Sequence, residues 1–290
     1  MRIQTMFIPR KVLEEKLTQL LVDDVGQGDV TTAALVSSDL TVEAEVLSKE
    51  AGVVAGIEET TVLAESLGLS VKVLVSDGEE TKKGQVMLKI FGDARTILSA
   101  ERTMLNLLSR MSGIATATRK LVEKVRKARL NTRIAATRKT APGLLYFDKK
   151  AVFIGGGDPH RLHLDDMVLI KDNHLAVSEN IETAVQLAKQ NTSFTKKIEV
   201  EVTIVADALK AAKAGADVIM LDNFSPKHIR ETIGLLKEAG LHEKILLEAS
   251  GGITQQNLLE YAQTQVNIIS LGELTHSVRA LDISLEIKPI

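Results

Sequence analysis

The 290-residue chain has no cysteine, no tryptophan, only two tyrosines and six phenylalanines, and no long apolar run. Each absence excludes something. Without cysteine there is no disulfide, no thiolate nucleophile and no Cys-ligated metal, which removes zinc ribbons and iron–sulfur proteins. With aromatic residues at 3%, the core must be aliphatic and there are few platforms for stacking nucleobases. Lys plus Arg number 36 against 38 for Asp plus Glu, and the net charge of -2 gives no overall pull toward nucleic acid or an anionic membrane. No stretch reaches the roughly 20 apolar residues of a membrane span, and charges run through the first residues, so a cytoplasmic enzyme is expected.

What is present is pattern. Val12 to Leu21 has helical spacing before the turn-forming stretch from Asp23 to Asp29. Alternation at Val42, Ala44 and Val46, and again at Val71, Val73 and Val75, predicts strands with one buried face. Asp77-Gly78-Glu79 and Lys83-Gly84-Gln85 read as turns before a strand over Val86 to Phe91. The layout has the shape of the hammerhead of biotinyl and lipoyl carrier domains. No lysine sits at an exposed hairpin tip in a Met-Lys-Met-like context, so a carrier function is not expected. From Thr96 to Lys127 a helix puts Leu98, Leu105, Leu108, Met111 and Ala115 on one stripe and Arg102, Asn106 and Arg110 on another. The domain boundary is placed on this helix, with residues 1–112 in one domain and 113–290 in the other.

Downstream, short apolar runs end in polar residues or glycine: Ile134 to Thr137, Met167 to Ile170, Ile198 to Val202, Val218 to Leu221, Ile245 to Ala249 and Ile268 to Ser270. Helical segments at Ile181 to Lys189, Ala206 to Ala214, Pro226 to Ala239 and Gln255 to Ala262 lie between them. This alternation predicts parallel strands covered by helices, an α/β barrel of TIM type with its chemistry at the C-terminal strand ends.

Three groups of residues fall there. Arg138, Lys139, His160, Arg161 and Lys171 lie beside strand ends or the triple glycine Gly155-Gly156-Gly157, which suits a small molecule with more than one carboxylate or phosphate. Glu201 and Asp222 end adjacent strands and suit a Mg2+ ion, directly or through water, or acid–base work. A rim salt bridge with Lys139 or Lys171 explains Glu201 and Asp222 equally well, and pattern does not choose between Glu199 and Glu201, which share a face. Ser250-Gly251-Gly252 and Ser270-Leu271-Gly272, each read as ending a strand and opening a helix, suit a phosphate.

The motifs TRKTAPGL, GGGDPHR, LIKDNH, EVEV, MLDNF, LEASGGIT and SLGELTHS, with GDVTT and ERTMLNLLSRMSGIAT before them, resemble in order and spacing the quinolinate phosphoribosyltransferases (nicotinate-nucleotide pyrophosphorylases, carboxylating). The resemblance covers nearly the whole chain. It implies an N-terminal α/β sandwich of hammerhead kind followed by an open-faced α/β barrel, in a homodimer or hexamer. It also implies conversion of quinolinate and phosphoribosyl pyrophosphate to nicotinate mononucleotide, pyrophosphate and CO2 in de novo NAD biosynthesis, with Mg2+ as the metal.

Position by position, the resemblance makes Arg138, Lys139, His160, Arg161 and Lys171 the pocket for the pyridine carboxylates, with Arg102 supplied by a partner subunit. Glu201, rather than Glu199, joins Asp222 near the metal and ribose, and Lys139, Glu201 and Asp222 are the catalytic candidates. Ser250, Gly251, Gly252, Gly272 and His276 match the 5-phosphate region. Asp158-Pro159 stands where the family often has Val-Asn, and Leu145 where it often has Arg. Three rival readings share these motifs in part: a paralogue associated with molybdenum-transport operons, a transferase for nicotinate, and a non-catalytic barrel that binds phosphometabolites.

Overall fold

The computed structural model describes residues 8–289; residues 1–7 and 290, which the expected domain limits include, lie outside them. In chain order the elements are α1 (Arg10–Val25), α2 (Val30–Leu35), β1 (Thr41–Ser48), β2 (Gly52–Val53), α3 (Ile57–Ser66), β3 (Ser70–Val73), β4 (Glu80–Thr81), β5 (Val86–Asp93) and α4 (Ala94–Lys127). There follow β6 (Arg133–Ala136), α5 (Leu145–Ile154), β7 (Val168–Ile170), α6 (Asp172–Leu175), α7 (Ile181–Asn191), β8 (Ile198–Val202), α8 (Val205–Ala214), β9 (Val218–Asp222) and α9 (Pro226–Glu238). The chain ends with β10 (Leu246–Ser250), α10 (Leu258–Ala262), β11 (Ile268–Leu271), α11 (Glu273–His276) and β12 (Ile283–Pro289). Among the described residues, no helix is long and apolar enough to cross a membrane.

The chain forms two compact units. The first holds the chain up to Arg119, Tyr146–Gly156 and the chain from Val278 onward. Its antiparallel sheet runs β12-β1-β5-β3. The alternation in β1 buries Val42, Ala44 and Val46, while Glu43 and Glu45 on the other face both pair with Lys89 of β5 at 2.8 Å. In β3 the expected buried face is absent: it is an edge strand, covered on fewer sides, and Val73 is 44% exposed. β12 lies beside β1, pairing Leu285 with Val46, so this C-terminal strand belongs to the first unit rather than to the domain in which the sequence places it.

α4 buries Leu105, Leu108, Met111 and Ala115 as its stripe predicts. α5, which the pattern does not reveal as a helix, turns Asp148, Lys149 and Lys150 inward. Arg110 of α4 grips Asp148 through two bonds of 2.7 and 2.8 Å, and Lys150 reaches Glu58 and Glu59 of α3 at 2.5 and 2.6 Å. The α3 N-terminus is held by Asp77, whose Oδ1 accepts from the N–H groups of Gly56 and Ile57.

The second unit, Lys120–Leu145 and Gly157–Ser277, is built on a six-stranded parallel sheet in the order β6-β11-β10-β9-β8-β7. Strand residues Val200, Ile219, Leu221, Leu247 and Ile269 pack with Ala208, Ala211, Ile229, Leu236 and Leu258 of the covering helices in one aliphatic core. Among the described residues β6 and β7 do not pair with each other, which leaves the barrel open-faced. Asp158 bridges to Ala135 on the free side of β6, donating its N–H to Ile134 and accepting from that of Ala136. Because all six strands are parallel, their C-terminal ends share one rim.

Candidate active site

That rim surrounds one cavity of about 620 Å3. Arg138 and Lys139 follow β6, His160 and Arg161 lie on the segment beside its free edge, and Lys171 follows β7, so the cations occupy one continuous arc. Glu201 and Asp222, near the ends of β8 and β9, carry the carboxylates. Ser250, Gly251 and Gly252 complete the wall after β10. The five cations that the sequence singles out are therefore brought together, and so are both carboxylates.

Arg161 reports the positive charge of the arc. Burial, and then the like charge of Arg138, push its guanidinium below its ordinary pKa. An anion between the two would relieve both effects. Lys171 is placed by a local turn in which its backbone N–H donates to His174 Nδ1 at 3.0 Å, and its Nζ reaches Glu201 Oε2 at 2.7 Å. The rim salt bridge considered for Glu201 is thus present, with Lys171 as its partner. Asp222 Oδ2 accepts from Asn223 Nδ2 at 2.8 Å.

The ambiguity between Glu199 and Glu201 resolves by depth. Glu201 lines the cavity, while Glu199 is fully buried beneath it. Burial, followed by the neighbouring Glu248, pushes the Glu199 carboxyl up to about 8. Glu248 is a site residue that the sequence reading misses; its signal is a lone acid inside the otherwise apolar run from Ile245 to Ala249. His160 Nε2 lies 3.1 Å from Glu248 Oε2 and 3.5 Å from Glu199 Oε2. The Asp158-Pro159 departure gains a local meaning, because Asp158 Oδ1 accepts the backbone N–H of His160 at 2.8 Å.

The phosphate-side expectations need correction. Ser250-Gly251-Gly252 ends β10 but does not open a helix: both glycines have positive φ, 87° and 64°, and α10 begins only at Leu258. A Cβ on Gly251 would collide with the Asn223 side chain, so the turn requires glycine. Gly272 does precede a helix, though one of only four residues, and it lies outside the cavity lining together with His276. A Cβ on Gly272 would stand 2.9 Å from the His276 ring and 3.3 Å from Lys139 Cδ, so these residues back Lys139 rather than form the wall. Thr275 Oγ1 donates to the Lys139 carbonyl at 2.8 Å in the same corner. Arg102 is exposed on α4 of the first unit, outside this cavity.

Comparison with known proteins decides the family. The model of the quinolinate phosphoribosyl transferase N-terminal domain matches residues 29–112, and that of the C-terminal domain matches residues 114–286. The chain belongs to the quinolinate phosphoribosyltransferase family. The two matches meet where the sequence boundary was drawn, whereas compact packing carries α4 in the first unit on to Arg119. A probable nicotinate-nucleotide pyrophosphorylase [carboxylating] of Methanothermobacter thermautotrophicus is 48% identical over 272 residues, 94% of this chain and 98% of that protein. The human nicotinate-nucleotide pyrophosphorylase [carboxylating] is 37% identical over 255 residues, 88% of this chain and 85% of its own. Among solved structures, the nicotinate-nucleotide pyrophosphorylase of Francisella tularensis superposes with a TM-score of 0.88 at 33% identity, covering 97% of this chain and 98% of that one. As a quinolinate phosphoribosyltransferase, the chain is a decarboxylating pentosyltransferase.

Proposed function

We propose that the barrel cavity is where the chain carries out its family's reaction on quinolinate and phosphoribosyl pyrophosphate. The observation that carries this assignment is the unbroken arc of Arg138, Lys139, His160, Arg161 and Lys171 facing carboxylates on β8 and β9. A dianionic pyridine suits the arc, where Arg138 and Arg161 repel each other without an anion. The Gly251-Gly252 turn, with both residues at positive φ in the cavity wall, suits the 5-phosphate. Gly272 and His276 stand beside Lys139 at that end.

With the two substrates so placed, the ring nitrogen bonds to C1 of the ribose as the C1–O bond breaks and pyrophosphate departs with the electron pair. Proximity and orientation supply much of this step. Lys139 and Lys171 offer positive charge to the departing oxygens, and Glu201 and Asp222 face the cationic character that develops at C1. The bond from C2 of the resulting ring cation to its carboxylate then breaks, CO2 leaves, and the electron pair left at C2, stabilised by the adjacent N+, takes a proton from water to give nicotinate mononucleotide. Arg138, His160 and Arg161 act by position and charge.

The donor set also fits Mg2+, since Glu201 and Asp222 present hard carboxylate oxygens to the same cavity. Bound there, directly or through water, the ion would neutralise charge on the pyrophosphate leaving group. We further assign Arg102 to the cavity of a partner subunit, in a homodimer or hexamer. Mixing Arg102→Ala and Arg161→Ala proteins should then restore part of the activity that each lacks alone; no recovery in verified hybrids would count against the shared site.

The direct test is turnover. Release of pyrophosphate and CO2 from quinolinate with phosphoribosyl pyrophosphate and Mg2+ is expected, and its absence would overturn the reading. Arg161→Ala should raise KM for quinolinate far more than KM for phosphoribosyl pyrophosphate, and equal effects would remove Arg161 from the carboxylate pocket.

A further inference from the structure

We propose that Glu248 is a positioning residue for quinolinate binding: a buried strand carboxylate that fixes the orientation of His160 and keeps a hydrogen on Nε2 of its ring. The inference rests on the reading of the cavity given above.

His160 is clamped at both ends. Its backbone has φ 55°, a left-handed conformation uncommon outside glycine. The N–H bond to Asp158 Oδ1 holds that conformation, and Asp158 is itself locked to β6 by its bridge with Ala135. Pro159 between them has its φ fixed by the ring. At the other end, Nε2 lies 3.1 Å from Glu248 Oε2, with Glu199 Oε2 behind at 3.5 Å. Met220 of β9 stands in register with both Glu248 and Glu201, so Glu199 lies one step deeper in the barrel than either.

Two buried acids, Glu199 beneath a pocket for anions and Glu248 in its lining, need a reason. Each would oppose the ligand's charge unless it served a cation that meets the ligand. Glu201 has such a cation in Lys171. For Glu248 the group that meets the ligand is His160, which lines the cavity beside it. A carboxylate accepts only, so a contact of 3.1 Å requires the hydrogen to be on Nε2. That settles which ring nitrogen carries the proton and how the ring is turned, as an outer carboxylate does for histidine in many sites. Glu248 also lines the cavity itself, level with Glu201, and its effect through His160 is what the double-mutant cycle isolates.

The test is a double-mutant cycle on the full-length protein, with dissociation constants for quinolinate and for phosphoribosyl pyrophosphate read by calorimetry, so that slow variants still report. Glu248→Gln keeps the shape and removes the charge. It should weaken quinolinate binding roughly tenfold, leave phosphoribosyl pyrophosphate binding within about twofold, and add nothing further in a His160→Gln background. Unchanged quinolinate affinity, equal losses for both ligands, or full additivity with His160→Gln would each overturn the proposal. Wild-type protein without turnover of quinolinate would instead overturn the functional reading, a separate result.

Discussion

In the first unit Lys150 lies buried between Glu58 and Glu59, and Arg110 closes on a fully buried Asp148 with both hydrogen bonds of a fork. In the barrel Glu199 and Glu248 are as deeply buried, yet what they share is one imidazole, and among the described residues neither Glu199 oxygen has a hydrogen-bond partner. Burial alone would lower the Lys150 pKa, but Glu59 and Glu58 outweigh it and raise it. Burial pushes Glu59 up, and Lys150 pulls against that shift. For Glu199, burial and Glu248 push the same way. In the first arrangement each of these acids faces a Lys or Arg, whereas in the second two acids face each other across one histidine.

Removing a cation from the closed arrangement should therefore cost most. Lys150→Met leaves Glu59 buried without its counter-ion, and unfolding in urea should show a loss of about 3 to 5 kcal/mol. A neutral or stabilising result would break the comparison, because it would mean that the first unit's ion group is no better compensated than the barrel's. Arg110→Met should cost less, about 2 to 3 kcal/mol, since Arg110 is 22% exposed and solvent already shares in its charge. In either variant, the folded fraction should bind quinolinate with wild-type affinity; a change in calorimetric affinity would show that these pairs also support the site.

The same contrast explains how much of the molecule was legible. The barrel strands announce themselves because a parallel sheet buried on both faces needs continuous apolar runs, and the rim chemistry follows because polar residues interrupt those runs at their ends. Arg138, Lys171 and Asp222 were singled out in this way, by position, whereas the choice of Glu201 over Glu199 came from the family resemblance. α5 was hidden because Asp148-Lys149-Lys150 reads as a solvated surface, and only partners 38 to 92 residues away make its burial tolerable. Glu248 was hidden for the converse reason: it sits inside an apolar run, where a strand pattern is read through it. β12 was misplaced because pairing across the whole chain length leaves no local trace. The role of Arg102 came from family resemblance and has no counterpart in the periodicity of α4.

The smallest effect on folding, and the sharpest on the comparison, is expected from Glu199→Gln. The carboxyl makes no hydrogen bond that the substitution could break, and burial and Glu248 already push it toward its neutral form. The amide has nearly the same volume, so no cavity opens. Stability should change by less than about 1 kcal/mol, far below the loss in Lys150→Met although Glu199 is just as buried. Glu248 keeps its own contact with the ring at 3.1 Å, so quinolinate affinity should fall less than in Glu248→Gln. A loss of several kcal/mol in urea unfolding would show that the barrel's buried acids hold the fold together as the first unit's ion pairs do, and the distinction between the two units would collapse.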